Sequence, residues 1–160
     1  MLIYNFNSRS NLRNWHVIDD VVMGGRSAGN MDINTKGHGV FSGEVSLENN
    51  GGFSSVRYQF LEKNVGDYAK VLLRVKGDGK LYQFRVKSDK NQRYSYIATF
   101  PTSGDWETIE IELKAMYPAF RGMRLNMSNY PAEKLAEIAI LFGNKKNESF
   151  RLEIDEISLK

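Results

Sequence analysis

Few residue patterns in this 160-residue chain have the types and spacing that catalysis requires, and each of them fails on its context. Gly25-Arg26-Ser27-Ala28-Gly29 has the Gly-x-Ser-x-Gly spacing of a nucleophile elbow. Such an elbow works on a strand-to-helix turn, with an acid and then a histidine later in the chain. No helical pattern follows Gly29, and the single later histidine, His38, comes too soon, so Ser27 reads as a turn serine. Gly37-His38-Gly39 and Gly77-Asp78-Gly79 lack the third glycine and the helix that would hold a pyrophosphate, and they read as turns. The chain has no cysteine, which excludes a disulfide framework, a thiolate zinc site, an iron–sulfur cluster and a cysteine nucleophile. His16 and His38 have no metal-type spacing. Asp19-Asp20 has the oxygen ligands a calcium ion takes, but reads more simply as a pair of turn caps. Asp105, Glu107, Glu110 and Glu112 read as a solvated strand edge rather than an acid/base pair. The expectation is no enzyme, no metal and no cofactor.

Binding chemistry is better represented. If Val56, Tyr58 and Phe60 face a core, then Phe53, Ser55, Arg57 and Gln59 share the other side of the strand. Arg57 would then present its planar five-donor fork outward. Trp15, Tyr94, Tyr96 and Trp106 are large amphipathic groups of the kind that stack on sugars or anchor interfaces. The glycine pairs Gly24-Gly25 and Gly51-Gly52 permit close backbone approach. Around them in sequence lie Trp15, Asp20, Asn50 and Arg57, a set that suits a polyol or a protein loop. The alternative is that the glycines only permit tight turns and that Asp20 pairs with Arg57 internally. Arg74, Lys76, Arg85 and Lys87 form either a basic stripe able to meet phosphate or the plain solvated face of a sheet.

The elements that must position these groups are strands. Val71, Leu73 and Val75 alternate with polar residues, as do Tyr82, Phe84 and Val86, and the short Gly77-Asp78-Gly79 turn between them predicts a hairpin. A second hairpin is predicted from Val40–Leu47, the turn Glu48–Gly52, and Phe53–Phe60. Further strands are expected at Leu2–Phe6, Ser95–Phe100, Trp106–Leu113, Ile138–Phe142 and Phe150–Leu159. The last carries a bulge near Asp155-Glu156, because Ile157 and Leu159 fall out of phase with Phe150, Leu152 and Ile154. Helical turns are expected only at Pro131–Glu137 and Ser8–Trp15.

Composition is ordinary for one globular domain, with 41% hydrophobic and 26% charged residues and a net charge of +3. No run of like charges suggests a nucleic-acid tail, and no apolar run approaches the roughly 18 residues of a membrane span. Met1–Phe6 has neither a basic n-region nor an apolar h-region, so the expected location is cytoplasmic. Short strands, glycine-rich turns and little helix predict an all-β fold, an antiparallel β-sandwich or jelly roll, over residues 1–160.

The motif blocks also carry a family resemblance. Trp15 followed by Asp19-Asp20-Val21-Val22-Met23-Gly24-Gly25-Arg26-Ser27 resembles the opening of the complex I intermediate-associated protein 30 family. Phe41-Ser42-Gly43-Glu44-Val45-Ser46-Leu47, running into Asn50-Gly51-Gly52-Phe53-Ser54-Ser55-Val56-Arg57, is similar to its second block. Lys76–Lys80 with Tyr82, the Phe100 and Trp106 pair, Phe120-Arg121-Gly122 and the closing Phe150–Ile157 stretch follow in order. The resemblance implies a galactose-binding-domain-like sandwich and a non-enzymatic, chaperone-like assembly role. It implies another protein as partner, a respiratory complex I subunit or assembly intermediate. A small sugar is the alternative ligand, from the fold, and RNA on the basic stripe a weaker one. Trp15, Asp20, Asn50, Arg57, Tyr94 and Arg121 are the expected binding residues.

Overall fold

Alternation of apolar and polar residues gives each strand one face that must leave water, and two sheets meet over those faces. The computed structural model describes residues 1–20 and 24–160, the side chain of Asn50 excepted. One sheet runs β3 (Ala28–Ile33), β4 (Gly39–Val45), β13 (Glu148–Leu159), β6 (Lys70–Lys76), β9 (Trp106–Glu112). In the same sheet β1 (Leu2–Asn5) lies beyond β4 along β13. The other sheet runs β11 (Met123–Arg124), β10 (Tyr117–Phe120), β8 (Ser95–Pro101), β7 (Leu81–Lys87), β12 (Lys134–Phe142), β5 (Ser54–Asn64), β2 (Trp15–Asp19). Every one of these pairings is antiparallel, as expected for a sandwich of the jelly-roll type. Leu73 and Val75 of β6 and Leu152, Ile154 and Ile157 of β13 pack against Phe84 and Val86 of β7 and Ile138, Ile140 and Phe142 of β12. The expected bulge in β13 lies between Ile154 and Glu156, and it returns Ile157 and Leu159 to the core.

Both expected hairpins are instead crossings between the sheets. β6 and β7 belong to different sheets, as do β4 and β5. An alternating pattern reports which face is buried, but not which strand lies beside it. Ties both local and long-range hold the Gly77–Gly79 arch. Asp78 Oδ2 accepts hydrogen bonds from Tyr82 Oη at 3.0 Å and from Arg151 N at 2.9 Å, while Thr102 Oγ1 accepts one from Gly79 N at 3.1 Å.

The expected helical turns are also corrected. Residues 134–142 form β12, a central strand flanked by β5 and β7. The expected strand Ile138–Phe142 is its second half, and the strand begins earlier, at Lys134, because Leu135–Phe142 is buried throughout and shows no alternation there. Between Ser8 and Trp15 the chain makes turns. The side chains of Asn7 and Asn11 accept hydrogen bonds from Arg9 N and Arg13 N, each at 2.8 Å, which supplies the turn without a helix. Strands β2, β3, β10 and β11 are additional to those expected.

Candidate functional site

Two neighbouring carboxylates organise one end of the sandwich. Asp20 is fully buried. Its Oδ1 accepts from Ser27 N at 2.9 Å, and its Oδ2 accepts from Ser27 Oγ at 2.5 Å, Gly52 N at 2.6 Å and Phe53 N at 3.2 Å. Burial pushes this carboxyl up, but the hydrogen bonds from Ser27, Gly52 and Phe53 outweigh it and hold it below its ordinary value. Asp19 accepts from Gly29 N at 3.0 Å and from Ser54 Oγ at 2.5 Å. One glycine of each pair is required by contact: a Cβ on Gly25 would lie 2.3 Å from Asp20 Cγ, and one on Gly51 2.5 Å from Asp20 Oδ2, while their partners Gly24 and Gly52 have φ of 87° and 138°. This knot holds the chain at Phe53, just before β5 begins.

On the outer face of the seven-stranded sheet, strand register builds a transverse row of side chains. Tyr117 of β10 lies across from Ile97 of β8, Ile97 from Arg85 of β7, Arg85 from Ala139 of β12, Ala139 from Arg57 of β5, and Arg57 from His16 of β2. In β12, Glu137 precedes Ala139 on the same face, across from Lys87 on one side and Gln59 on the other. Over Arg57, Arg85 and Lys87 opens a cleft with a cavity volume of about 360 Å³. Its walls are Phe53, Arg93 from the loop joining β7 to β8, and the Phe120-Arg121-Gly122 turn. Arg121 and Gly122 have φ of 50° and 78°, as the tight turn joining β10 to β11 demands, and Arg121 stands exposed at its tip.

The electrostatics of this cleft are one-sided. Arg57, Arg85, Lys87, Arg93 and Arg121 line it, with Glu137 as the one carboxylate among the described lining residues. Glu137 is already engaged: Lys87 Nζ lies 3.9 Å from its Oε2, and Gln59 Nε2 donates to its Oε1 at 2.8 Å. Arg85 donates through Nε and Nη2 to Gln83 Oε1 at 3.0 and 2.8 Å, a neutral partner that leaves its charge uncompensated. Burial, and then the Arg57 charge, lower the Arg85 guanidinium to about 10. Burial likewise lowers Lys87, with Glu137 opposing and Arg57 and Arg85 reinforcing the shift. No side-chain hydrogen bond or ion pair engages Arg57 among the described residues, and it lines the cleft.

The expected site residues divide sharply. Arg57 and Arg121 both line the cleft. Trp15 does not: it is 6% exposed and stacks on Tyr58, with ring centroids 4.8 Å apart, because its strand turns that face inward. Tyr94 also turns toward the core, edge-on to Tyr96, while its neighbours Arg93 and Ser95 line the cleft. Asp20 is bound within the knot, to Ser27 and backbone N–H groups rather than to Arg57. Asn50 lies outside the described side chains. The basic stripe is divided between the sheets, Arg74 and Lys76 on β6 and Arg85 and Lys87 on β7, so the surface proposed for RNA does not form. Glu137 and Arg93 were missed. A lone glutamate inside the apolar run Leu135–Phe142 was the available sign of Glu137, while the loop position of Arg93 left none. Among the described residues no cluster of His, Asp or Glu is arranged to hold a metal ion, and no helix is long and apolar enough to cross a membrane.

The family model for complex I intermediate-associated protein 30 matches residues 4–154. The chain belongs to that family. The complex I intermediate-associated protein 30 of Mus musculus mitochondria is 25% identical over 181 residues, covering 99% of this chain and 55% of the mouse protein. The Drosophila melanogaster protein is 20% identical over 184 residues, covering 99% of this chain and 62% of the fly protein. The chain thus spans somewhat over half the length of those relatives. Its fold is similar to that of a family 11 carbohydrate-binding module from Clostridium thermocellum, solved with a β-1,3-1,4-mixed-linked tetrasaccharide. The TM-score is 0.71 at 15% identity, over 97% of this chain and 93% of the module. The two family motif blocks meet in the Asp20 knot, and the second of them ends at Arg57 in the cleft.

Proposed function

We propose that this chain is a non-catalytic binding module that captures part of a partner protein in the cleft of its seven-stranded sheet. The partner class is a subunit or assembly intermediate of respiratory complex I, in line with the family. The observation that carries this reading is the cleft itself, where arginine and lysine side chains converge on a cavity whose one described carboxylate is already paired. A general acid/base pair has no carboxylate to spare there, whereas a set of charged forks suits recognition.

Capture from lysate of the source organism with the wild-type chain and with Arg57→Gln tests it. Subunits of complex I enriched by the wild type and lost with the variant, which must still melt cooperatively, are the expected result. Loss of enrichment with both proteins, or its retention by the variant, overturns the reading. The fold likeness to a carbohydrate-binding module supplies the second reading, a neutral glycan in the same cleft. A saturable rise in melting temperature with a mixed-linkage glucan would favour it.

A further inference from the structure

The cleft floor is short of negative charge. Arg57 and Arg85 flank Ala139 from opposite sides, and all three line the same cleft, with the small alanine between the two arginines. Lys87 is buried beside them and spends its charge on Glu137. Gln83 occupies one edge of the Arg85 fork and leaves the rest of it available. Like charges held together in a partly dry cavity repel one another, and an oxyanion entering between them removes that cost while accepting paired hydrogen bonds.

We propose that Arg57 and Arg85 form a carboxylate-binding subsite, and that its occupant is an acidic, extended segment of a partner protein. The proposal rests on the binding-module reading and gives the cleft its chemistry. Two strands of separation place the two arginine backbones about 9–10 Å apart, so acidic residues two positions apart on an extended segment, which share one face, reach both forks. Neutral glycan recognition leans on exposed aromatic platforms. Here Trp15, Tyr82 and Tyr96 are all turned into the core, and the floor between the two arginines is the small Ala139. Phe53 and Phe120 on the rim fit the apolar residues that flank acidic ones in a protein segment. Arg93 and Arg121 stand over the floor as further cations, which favours an occupant with more than one negative charge.

The test uses a synthetic peptide in which glutamate alternates with small apolar residues, its counterpart with glutamine at every glutamate, an oligogalacturonate and a neutral mixed-linkage glucan. Each is titrated against the whole chain and followed by amide and arginine Nε NMR shifts. The glutamate peptide is expected to bind saturably, the glutamine peptide at least about tenfold more weakly, and Arg57→Gln and Arg85→Gln each to lose about tenfold. Arg57→Lys recovers part of the loss, because it keeps the charge without the fork. Added salt weakens binding. Equal binding of the two peptides, or wild-type affinity in both arginine variants, overturns the subsite. If Arg85→Gln fails to fold, the Arg57→Gln and Arg57→Lys pair decides alone. Preference for oligogalacturonate over the glutamate peptide overturns the peptide assignment while retaining a carboxylate site. Glucan binding that survives Arg57→Gln overturns the anion site altogether. Glutamate-peptide binding without capture of complex I subunits leaves the subsite standing and removes the family-derived partner. Capture undiminished by Arg57→Gln takes the partner out of the cleft and overturns the binding-module reading, while the peptide titrations still decide the subsite.

Discussion

Arg57 of β5 and Arg85 of β7 flank Ala139 of β12 from opposite sides, in one row across the outer face of the seven-stranded sheet. The two arginines are 28 positions apart in sequence and stand on strands that are not paired with each other. What joins them is β12, which pairs with both β5 and β7 and contributes the small residue between them. A buried central strand therefore sets the spacing of the cleft's charges.

Because Arg57 has no internal partner among the described residues, its removal should not destabilise the chain. Arg57→Gln is expected to melt at the wild-type temperature or slightly above it, since a like-charge neighbour of Arg85 and Lys87 is gone. Thermal denaturation at neutral pH and low salt checks this. A fall of several degrees would show that Arg57 supports the fold.

Trp15 should behave in the opposite way. Its indole packs among Tyr4, Phe6 and Tyr58 in the core, so Trp15→Ala should cost about 3–5 kcal/mol of stability. Denaturant titration measures the loss. A Trp15→Ala chain as stable as wild type, but deficient in binding, would move this residue from the core to the site.

The Asp20 knot should show itself as an acid dependence of stability. The carboxyl is held below its ordinary value of 3.8 in the folded chain, so the folded state favours the ionised form. Its contribution is therefore complete above about pH 4 and is lost as the pH falls through the lower folded value. Asp20→Asn is expected to cost about 2–3 kcal/mol at neutral pH, and to flatten the loss of stability below pH 4. Unfolding curves from pH 7 down to pH 2 for both proteins test this, and parallel curves would refute it.

Glycine substitutions separate contact from mere turn preference. Gly51→Ala should destabilise by about 2 kcal/mol or more, because the new Cβ would lie 2.5 Å from Asp20 Oδ2 and 2.9 Å from the Ser46 carbonyl oxygen. At Gly66 a Cβ meets nothing within 4 Å, and Gly66→Ala should be neutral or stabilising by up to about 1 kcal/mol. Equal effects at the two positions would mean that the knot does not require its glycines.

Charge removal on the opposite sheet should leave the cleft alone. Arg74→Ala and Lys76→Ala together are expected to keep wild-type affinity for any occupant of the cleft, because β6 lies in the other sheet. Competitive binding with the double variant measures this, and a shared loss with Arg57→Gln would contradict the division of the basic residues.

Alternation alone was enough to read the all-β character of the chain, the inward faces of β5, β6, β7 and β13, and the bulge at Asp155-Glu156, since a period of two depends only on neighbouring residues. The motif blocks, likewise contiguous, carried the family and pointed to Asp20, the glycine pairs and Arg57. Pairing was a different matter. Whether β6 folds back on β7 or crosses to the other sheet depends on long-range ties such as Asp78 to Arg151, which no local pattern contains. Only the first part of β12 was disguised: Ile138–Phe142 reads as a strand, but burial on both faces leaves no alternation to mark Leu135–Glu137 as its start. The cleft depended on that hidden pairing. Only when β12 lies between β5 and β7 do Arg57 and Arg85 face one space, and only a three-dimensional packing could turn Trp15 away from that space and into the core.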